Sequence, residues 1–333
     1  MTKEHLDKSF KLISELLQES TFTESSLDTT KTRILQENDE LFTNPRYLLS
    51  EIVHKFAFKN NPMGNYIRGS QETIPLITRS EIAEFVNDNY TSNNLIISAS
   101  GNIDHNNIVD LAEKYLWRLP GHEKDQKITP PAFNSVSVMQ EAEEKNTFIA
   151  FAYPAASYSH PNLTNFNVLQ HLLSMGNIPS RKEDNFFQAA MDIRGLVSHD
   201  SYLATYQNCG LLIQLIECTS DSAPFVGGAV LRSMGHFGKN VSDSEISRAK
   251  SLFFNDLLRN DSLSHVSQTN ANQLKNFSRK VPNSEFGSTA LDLTASTLVT
   301  NISEWVNTIY PVIAVYGNIP NEDLIEKFYQ HSE

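Results

Sequence analysis

The sequence is poor in cysteine, in clustered positive charge and in long apolar runs, and each shortage removes a class of function. Cys209 and Cys218 are the only cysteines in 333 residues. They are too few for a disulfide scaffold, read as reduced core or edge thiols, and imply no metal site. Lys and Arg number 27 against 39 Asp and Glu, a formal net charge of −12. With no dense basic cluster, a nucleic-acid backbone or an anionic membrane surface is not an expected partner. A basic, extended peptide suits this balance better. No apolar run is long enough to cross a bilayer. Met1 to Ser20 carries acidic residues and a helical apolar stripe at Leu6, Phe10, Ile13, Leu16 and Leu17, unlike a signal peptide or an Arg-rich transit sequence. A soluble or peripheral protein is the expectation.

What is present is enough apolar material, 40% of residues, for two cores of ordinary domain size. Leu95-Ile-Ile-Ser-Ala-Ser-Gly-Asn-Ile103 reads as a buried strand closed by a turn at Gly101. Asp104 then caps a helix on which Ile108, Val109, Leu111, Ala112, Tyr115 and Leu116 fall at helical spacing. The same order returns at Val312-Ile-Ala-Val-Tyr-Gly-Asn-Ile319, followed by a helix with Leu324, Ile325 and Phe328. Gly101-Asn-Ile and Gly317-Asn-Ile lie 216 residues apart. This spacing reads as an internal duplication.

Taken in order, the first half is mainly helical. Thr23 can cap a helix to about Phe42, Asn44-Pro45 breaks it, and a helix from Arg46 to Phe58 leads into a loop at Asn60 to Asn65. Thr78-Arg-Ser-Glu81 is a capping box opening a helix to Asn89. Between Pro120 and Ala142 the periodicity fades, as in a linker. A second lobe then reads as a strand at Thr147 to Tyr153, helices near Asn162 to Leu173 and Lys182 to Met191, and strands at Val197 to Tyr206 and Leu211 to Cys218. The last strand is almost wholly apolar and so expected to lie inside its sheet. Ser242-Asp-Ser-Glu245 is another capping box, ahead of a buried stripe at Ile246, Ala249, Phe253 and Leu257. The expected fold class is α+β, two homologous layered lobes spanning 1–119 and 143–333 joined by 120–142. By the 216-residue offset, the counterpart of the Thr147 strand would begin roughly seventy residues before Met1, so the first lobe reads as truncated at its N-terminus.

Several stretches carry a family resemblance: His54-Lys-Phe-Ala-Phe58, Pro62-Met-Gly64, Ile77-Thr-Arg-Ser-Glu81, Gly101-Asn-Ile-Asp-His105, Leu119-Pro120, His160-Pro161, Ser247-Arg-Ala-Lys250, Arg279-Lys-Val-Pro282 and Ala314-Val-Tyr-Gly317. In this order and spacing they resemble the pitrilysin/insulinase-type zinc peptidases. Within these, the likeness is to the branch of mitochondrial processing peptidase and its relatives, the core proteins of respiratory complex III. The resemblance implies paired lobes, a homologous partner subunit in a heterodimer, a chamber for extended basic presequence peptides, and a mitochondrial location in the matrix or on the matrix side of the inner membrane. It implies Zn2+ in active relatives, held by an inverted His-x-x-Glu-His helix and a distal Glu, with the motif Glu as general base.

The ten histidines include no such motif. His54, His105, His160 and His171 stand apart and read as structural residues. Arg33-Ile-Leu-Gln-Glu37 resembles the segment holding the distal ligand, which makes Glu37 the candidate metal position, although a further Glu of active relatives is replaced by Thr30. Taken alone, Glu37 reads equally well as an exposed helix carboxylate beside Asp39 and Glu40. The chain has Met175-Gly-Asn-Ile-Pro179 where the noncatalytic subunit of the processing peptidase carries a glycine-rich gripping loop. The resemblance therefore implies one of two roles. The chain is a processing-peptidase-like subunit of catalytic type, which lacks its metal helix as written and cleaves presequences by zinc-dependent hydrolysis only if the His-x-x-Glu-His helix is present natively, or it is a noncatalytic core subunit of complex III.

Overall fold

The computed structural model describes residues 3–121, 129–174, 194–235, 237, 241–259, 262–307 and 309–332. In chain order the helices are α1 (Leu6–Gln18), α2 (Glu24–Phe42), α3 (Pro45–Ala57), α4 (Arg79–Asn89), α5 (His105–Leu116) and α6 (Leu163–Leu173). They continue with α7 (Ala223–Gly235), α8 (Asp243–Leu258), α9 (Leu263–Phe277), α10 (Asn283–Leu291), α11 (Ala295–Asn307) and α12 (Leu324–Gln330). The strands are β1 (Ser137–Glu141), β2 (Thr147–Pro154), β3 (Leu196–Thr205), β4 (Gly210–Cys218) and β5 (Val312–Gly317). One unit comprises Met1–Asp39, Arg68–Ile128 and Asn260–Lys280, and the other Glu40–Ile67, Thr129–Arg259 and Val281–Glu333. Neither is a contiguous half of the chain, since α3 belongs to the second unit and α9 to the first.

The second unit is built on a sheet of order β1-β5-β2-β4-β3, in which only the β1–β5 pair is parallel. Alternation along the strands sorts side chains between two faces. Ala150, Ala152, Leu211, Ile213, Val312 and Ala314 turn toward α3, where Leu49, Ile52, Val53 and Ala57 complete the core. The alanines let the helix sit close to the strands, and burying each larger side chain contributes about 1.5–3 kcal/mol. On β2 the intervening residues Ile149, Phe151 and Tyr153 are also buried, with the Phe151 ring 6.1 Å from that of Phe328 on α12. Toward the other end of the sheet, α6 packs on β3 and β4, where Ser201 Oγ donates to the Gln170 carbonyl at 2.6 Å.

Helix ends follow their local signals. Asn44 accepts from the N–H groups of Arg46 and Tyr47, with Pro45 at the first position of α3. Both expected capping boxes form, Thr78 with Glu81 and Ser242 with Glu245. In the second, the Glu245 N–H donates to Ser242 Oγ at 3.3 Å while the Glu245 carboxylate accepts the Ser242 N–H at 2.9 Å. Glu245 is buried, so its second oxygen has little water to turn to. Ser242→Ala is expected to cost about 1 kcal/mol. Urea unfolding should show this as a lower midpoint at unchanged slope; an unchanged midpoint would mean that water replaces the cap.

Two segments differ from the sequence reading. Leu95 to Ile103, expected as a buried strand, pairs with no strand, with Ile96 41% and Ile97 40% exposed. A strand needs neighbours to satisfy its N–H and C=O groups, and no described strand lies beside this one. Its counterpart β5 has both neighbours and is buried. Both segments still end on a glycine in the left-handed region, Gly101 at φ 141° and Gly317 at φ 107°. The second difference is β1, which lies inside the stretch expected to connect the lobes. It is an edge strand whose side chains are mostly exposed, so a polar, aperiodic composition satisfies it. The expected helix at Lys182 to Met191 and the loop at Met175 to Pro179 lie outside the described residues.

Candidate functional site

Glu37 lies near the C-terminal end of α2, and the geometry there is that of a clasp. Three successive side chains reach the segment 68–71. The Glu37 carboxylate accepts from Arg68 at 2.6 Å, the Asn38 amide donates to the Gly69 carbonyl at 3.5 Å, and Asp39 accepts from the Gln71 amide at 2.7 Å. Gly69 turns the chain at φ 76°, a conformation open to glycine. One turn earlier on α2, Arg33 approaches the other Glu37 oxygen at 3.7 Å. Lys31, two turns before Asn38, donates to the Pro75 carbonyl at 3.0 Å.

This arrangement does not suit a metal ion. A zinc site needs three or four convergent N, O or S donors, and among the described residues no group of three His, Cys, Asp or Glu is so placed. Both Glu37 oxygens face guanidinium groups. Bringing a divalent cation there would set it against two positive charges, so the residues present do not fit zinc. The partner that decides this, Arg68, lies 31 residues along the chain and carries no sequence signal.

The histidines singled out by sequence are not brought together. His54 on α3 donates from Nδ1 to the Ser50 carbonyl at 2.7 Å, which leaves Nε2 to accept the Tyr206 hydroxyl at 2.8 Å. Burial pushes the Tyr206 phenol up to about 12, so it stays a donor at neutral pH. His160 Nδ1 accepts the Asn162 N–H at 3.1 Å, and its ring meets Trp305 edge-on at 5.0 Å. His171 on α6 lies 3.4 Å from Asp256 of α8. Burial lowers its pKa, while Asp256 opposes the shift. His105 opens α5 at a separate groove. Both cysteines are free thiols, and burial raises Cys209 to about 11 and Cys218 to about 12. Neither is a thiolate nucleophile at neutral pH.

A polar row that sequence did not flag runs along the same face of α3. Arg46 ion-pairs with Asp200, donates to Ser198 and approaches Glu217 at 4.0 Å. One turn on, Ser50 shares a hydrogen bond with Tyr202 at 2.5 Å, and one further turn brings His54. Arg46, Ser50 and His54 recur every four residues and meet alternate positions of β3 and the residue just beyond it. The row fixes the helix over the strand.

Comparison with known proteins places these features. The chain is 25% identical to the mitochondrial-processing peptidase subunit beta of Caenorhabditis elegans over 85% of its own length and 63% of that protein. It is 24% identical to an uncharacterized zinc protease of Rickettsia felis, over 96% of the chain and 76% of that protein. The chain thus spans under two thirds of the worm relative. Among solved structures it superposes on a chain of complex III2 from Candida albicans with a TM-score of 0.86 and 15% identity, covering 100% of this chain and 81% of that one. Residues 1–71 match the family described as insulinase (peptidase family M16). Residues 76–253, more than half of the sequence, match the peptidase M16 inactive domain, and the chain therefore belongs to peptidase family M16.

Proposed function

We propose that the chain is a processing-peptidase-like subunit that works beside a homologous partner in a heterodimer and binds extended, basic presequence peptides in mitochondria, in the matrix or on the matrix side of the inner membrane. The observation that carries this reading is the M16 match over residues 1–71 and 76–253, with a processing-peptidase subunit among the relatives. The net charge of −12 suits Arg-rich peptides. The proposed layout is two lobes, 1–119 and 143–333, joined by 120–142. Glu37 holds the position of the distal zinc ligand and there binds arginine instead. The described residues contribute peptide binding, and if the His-x-x-Glu-His helix is present natively the subunit also cleaves the presequence by zinc-dependent hydrolysis.

The test is isolation of the native protein from mitochondria under mild conditions. The expected result is a second M16-family chain in equal amount, and retention of an Arg-rich presequence peptide that weakens as salt rises past the range where surface charges are screened. Glu37→Gln should leave the zinc content of the assembly unchanged. A folded, free monomer that ignores the peptide would overturn the proposal. The Glu37–Arg68 pair also favours a second reading, a noncatalytic core subunit of respiratory complex III. Co-migration with cytochrome bc polypeptides would select it.

A further inference from the structure

At the C-terminal ends of α1 and α5 the first unit holds a groove of about 410 Å³, the size of a small-molecule site. Its walls are the turn after α1, from Leu17 to Phe22, one face of α4, and the stretch Arg118 to Pro120. All three are tied together within the unit. Gln18 Nε2 donates to the Tyr115 carbonyl at 2.8 Å, the Arg118 N–H donates to Gln18 Oε1 at 3.0 Å, and the Ser92 N–H, just past α4, donates to the Pro120 carbonyl at 2.9 Å. The exposed apolar residues Leu12 and Leu16 of α1 and Phe85 of α4 line no part of the groove. It shares no residue with the unpaired segment Leu95 to Ile103.

The groove runs against the charge of the chain. The protein carries a net charge of −12, yet among the described residues the charged side chains lining this groove are Arg79 and Arg118 alone. Arg79 makes no hydrogen bond or ion pair among the described residues. It opens α4, where a cation opposes the helix dipole. Arg118 donates from Nη1 to Glu19 at 2.9 Å and sets its guanidinium 5.1 Å from the Trp117 ring, which leaves Nε and Nη2 to donate elsewhere. The walls add Leu17, Val86 and Pro120 and the rings of Phe22 and Tyr90. The Phe22 backbone is held at φ 45°, a left-handed conformation that a side chain of this size rarely takes. Strain of this kind gathers where ligands are clamped.

We propose that this groove binds a carboxylate carried on an aromatic or branched aliphatic body, with Arg79 and Arg118 on the carboxylate and the body against Phe22, Val86 and Tyr90. The planar guanidinium fork matches a carboxylate with two parallel bonds. The bound anion also offsets the charge that Arg79 brings to the start of α4. This site is opposite in sign to the one that takes basic presequences, which two arginines repel, and it stands whatever becomes of that reading. Two sources share the chemistry, a free organic acid and the C-terminal residue of a polypeptide.

The test is calorimetric titration of the native protein with hydrocinnamate and with the peptide acetyl-dialanyl-phenylalanine bearing a free carboxylate. Saturable binding is expected. Binding of hydrocinnamate, with or without the peptide, assigns a free organic acid, and binding of the peptide alone assigns a polypeptide C-terminus. The amide of each probe should fail to bind. Arg79→Met, which breaks no bond inside the described chain, should weaken binding by about tenfold or more. Glu19→Gln, which frees Arg118 Nη1, should tighten it by about two- to fivefold, and it carries the test if Arg79→Met melts early by circular dichroism. Binding of neither probe, equal binding of acid and amide, or unchanged affinity in both variants would overturn the proposal. So would displacement of the probe by an equal concentration of inorganic phosphate, because the groove would then read charge alone.

Discussion

Phe151→Ala is expected to lower the unfolding free energy of the sheet unit by about 4 kcal/mol, the scale of a fully buried phenylalanine truncated in a core that relaxes little. Phe151 is wholly buried on β2, flanked by β5 and β4, so the backbone around it is held on both sides. Its ring meets Phe328, which is itself 0% exposed. Phe328 cannot slide into the vacated space without losing its own seat, because its ring lies against Gly227 so closely that a Cβ there would come within 2.4 Å. The cavity therefore persists. Trp305, 5.0 Å from Phe166, reports this unit by fluorescence once Trp117, 70% exposed in the other unit, is replaced by Phe. Val197→Ala, at a residue 55% exposed on β3, serves as a control and should stay within about 0.5 kcal/mol. Equal losses for the two variants in urea unfolding would show that the Phe151 site collapses.

Acid should destabilise the same unit through His199. This residue is 5% exposed on β3 and pairs with Gln214 of β4 at 3.1 Å. Burial depresses its pKa from 6.5 to about 4, against smaller opposing effects from Gln214 and Asp200. The unfolded chain thus binds this proton near pH 6.5 and the folded chain only near pH 4. Between those values the unfolded state holds more protons, so stability falls as pH falls, by about 3 kcal/mol in total. Above pH 6.5 both states are neutral and the contribution is flat. His171, also lowered by burial, adds a slope of the same sign. His199→Gln should flatten the curve between pH 6.5 and 4 while leaving the His171 part. A variant with the same slope as the parent would show that His199 gains its proton without unfolding.

Signals confined to a few neighbouring residues were readable in advance. The capping boxes at Thr78 and Ser242, the break at Asn44-Pro45 and the apolar run of β4 each stand where local chemistry puts them, because each depends on contacts within one turn or one strand. Leu95 to Ile103 misled because its composition is that of a central strand, while pairing is a property of its neighbours and not of its own residues. β1 misled in the opposite sense, since an exposed edge strand has little need of an apolar pattern. At the candidate site, the chemistry of Glu37 is set by Arg68, whose approach depends on the turn at Gly69 and leaves no periodic trace.

The order of strands in the sheet also sets a timetable. β5 fills the place between β1 and β2, yet about 170 residues separate the end of β1 from its start. At a synthesis rate of about 5–20 residues per second, β1 waits on the order of ten to thirty seconds for the one partner it has among the described residues. Through that interval both β1 and one edge of β2 are open to any strand nearby. The emergence of β5 therefore decides when the sheet closes, and a nascent chain paused before Val312 would need shelter from its neighbours.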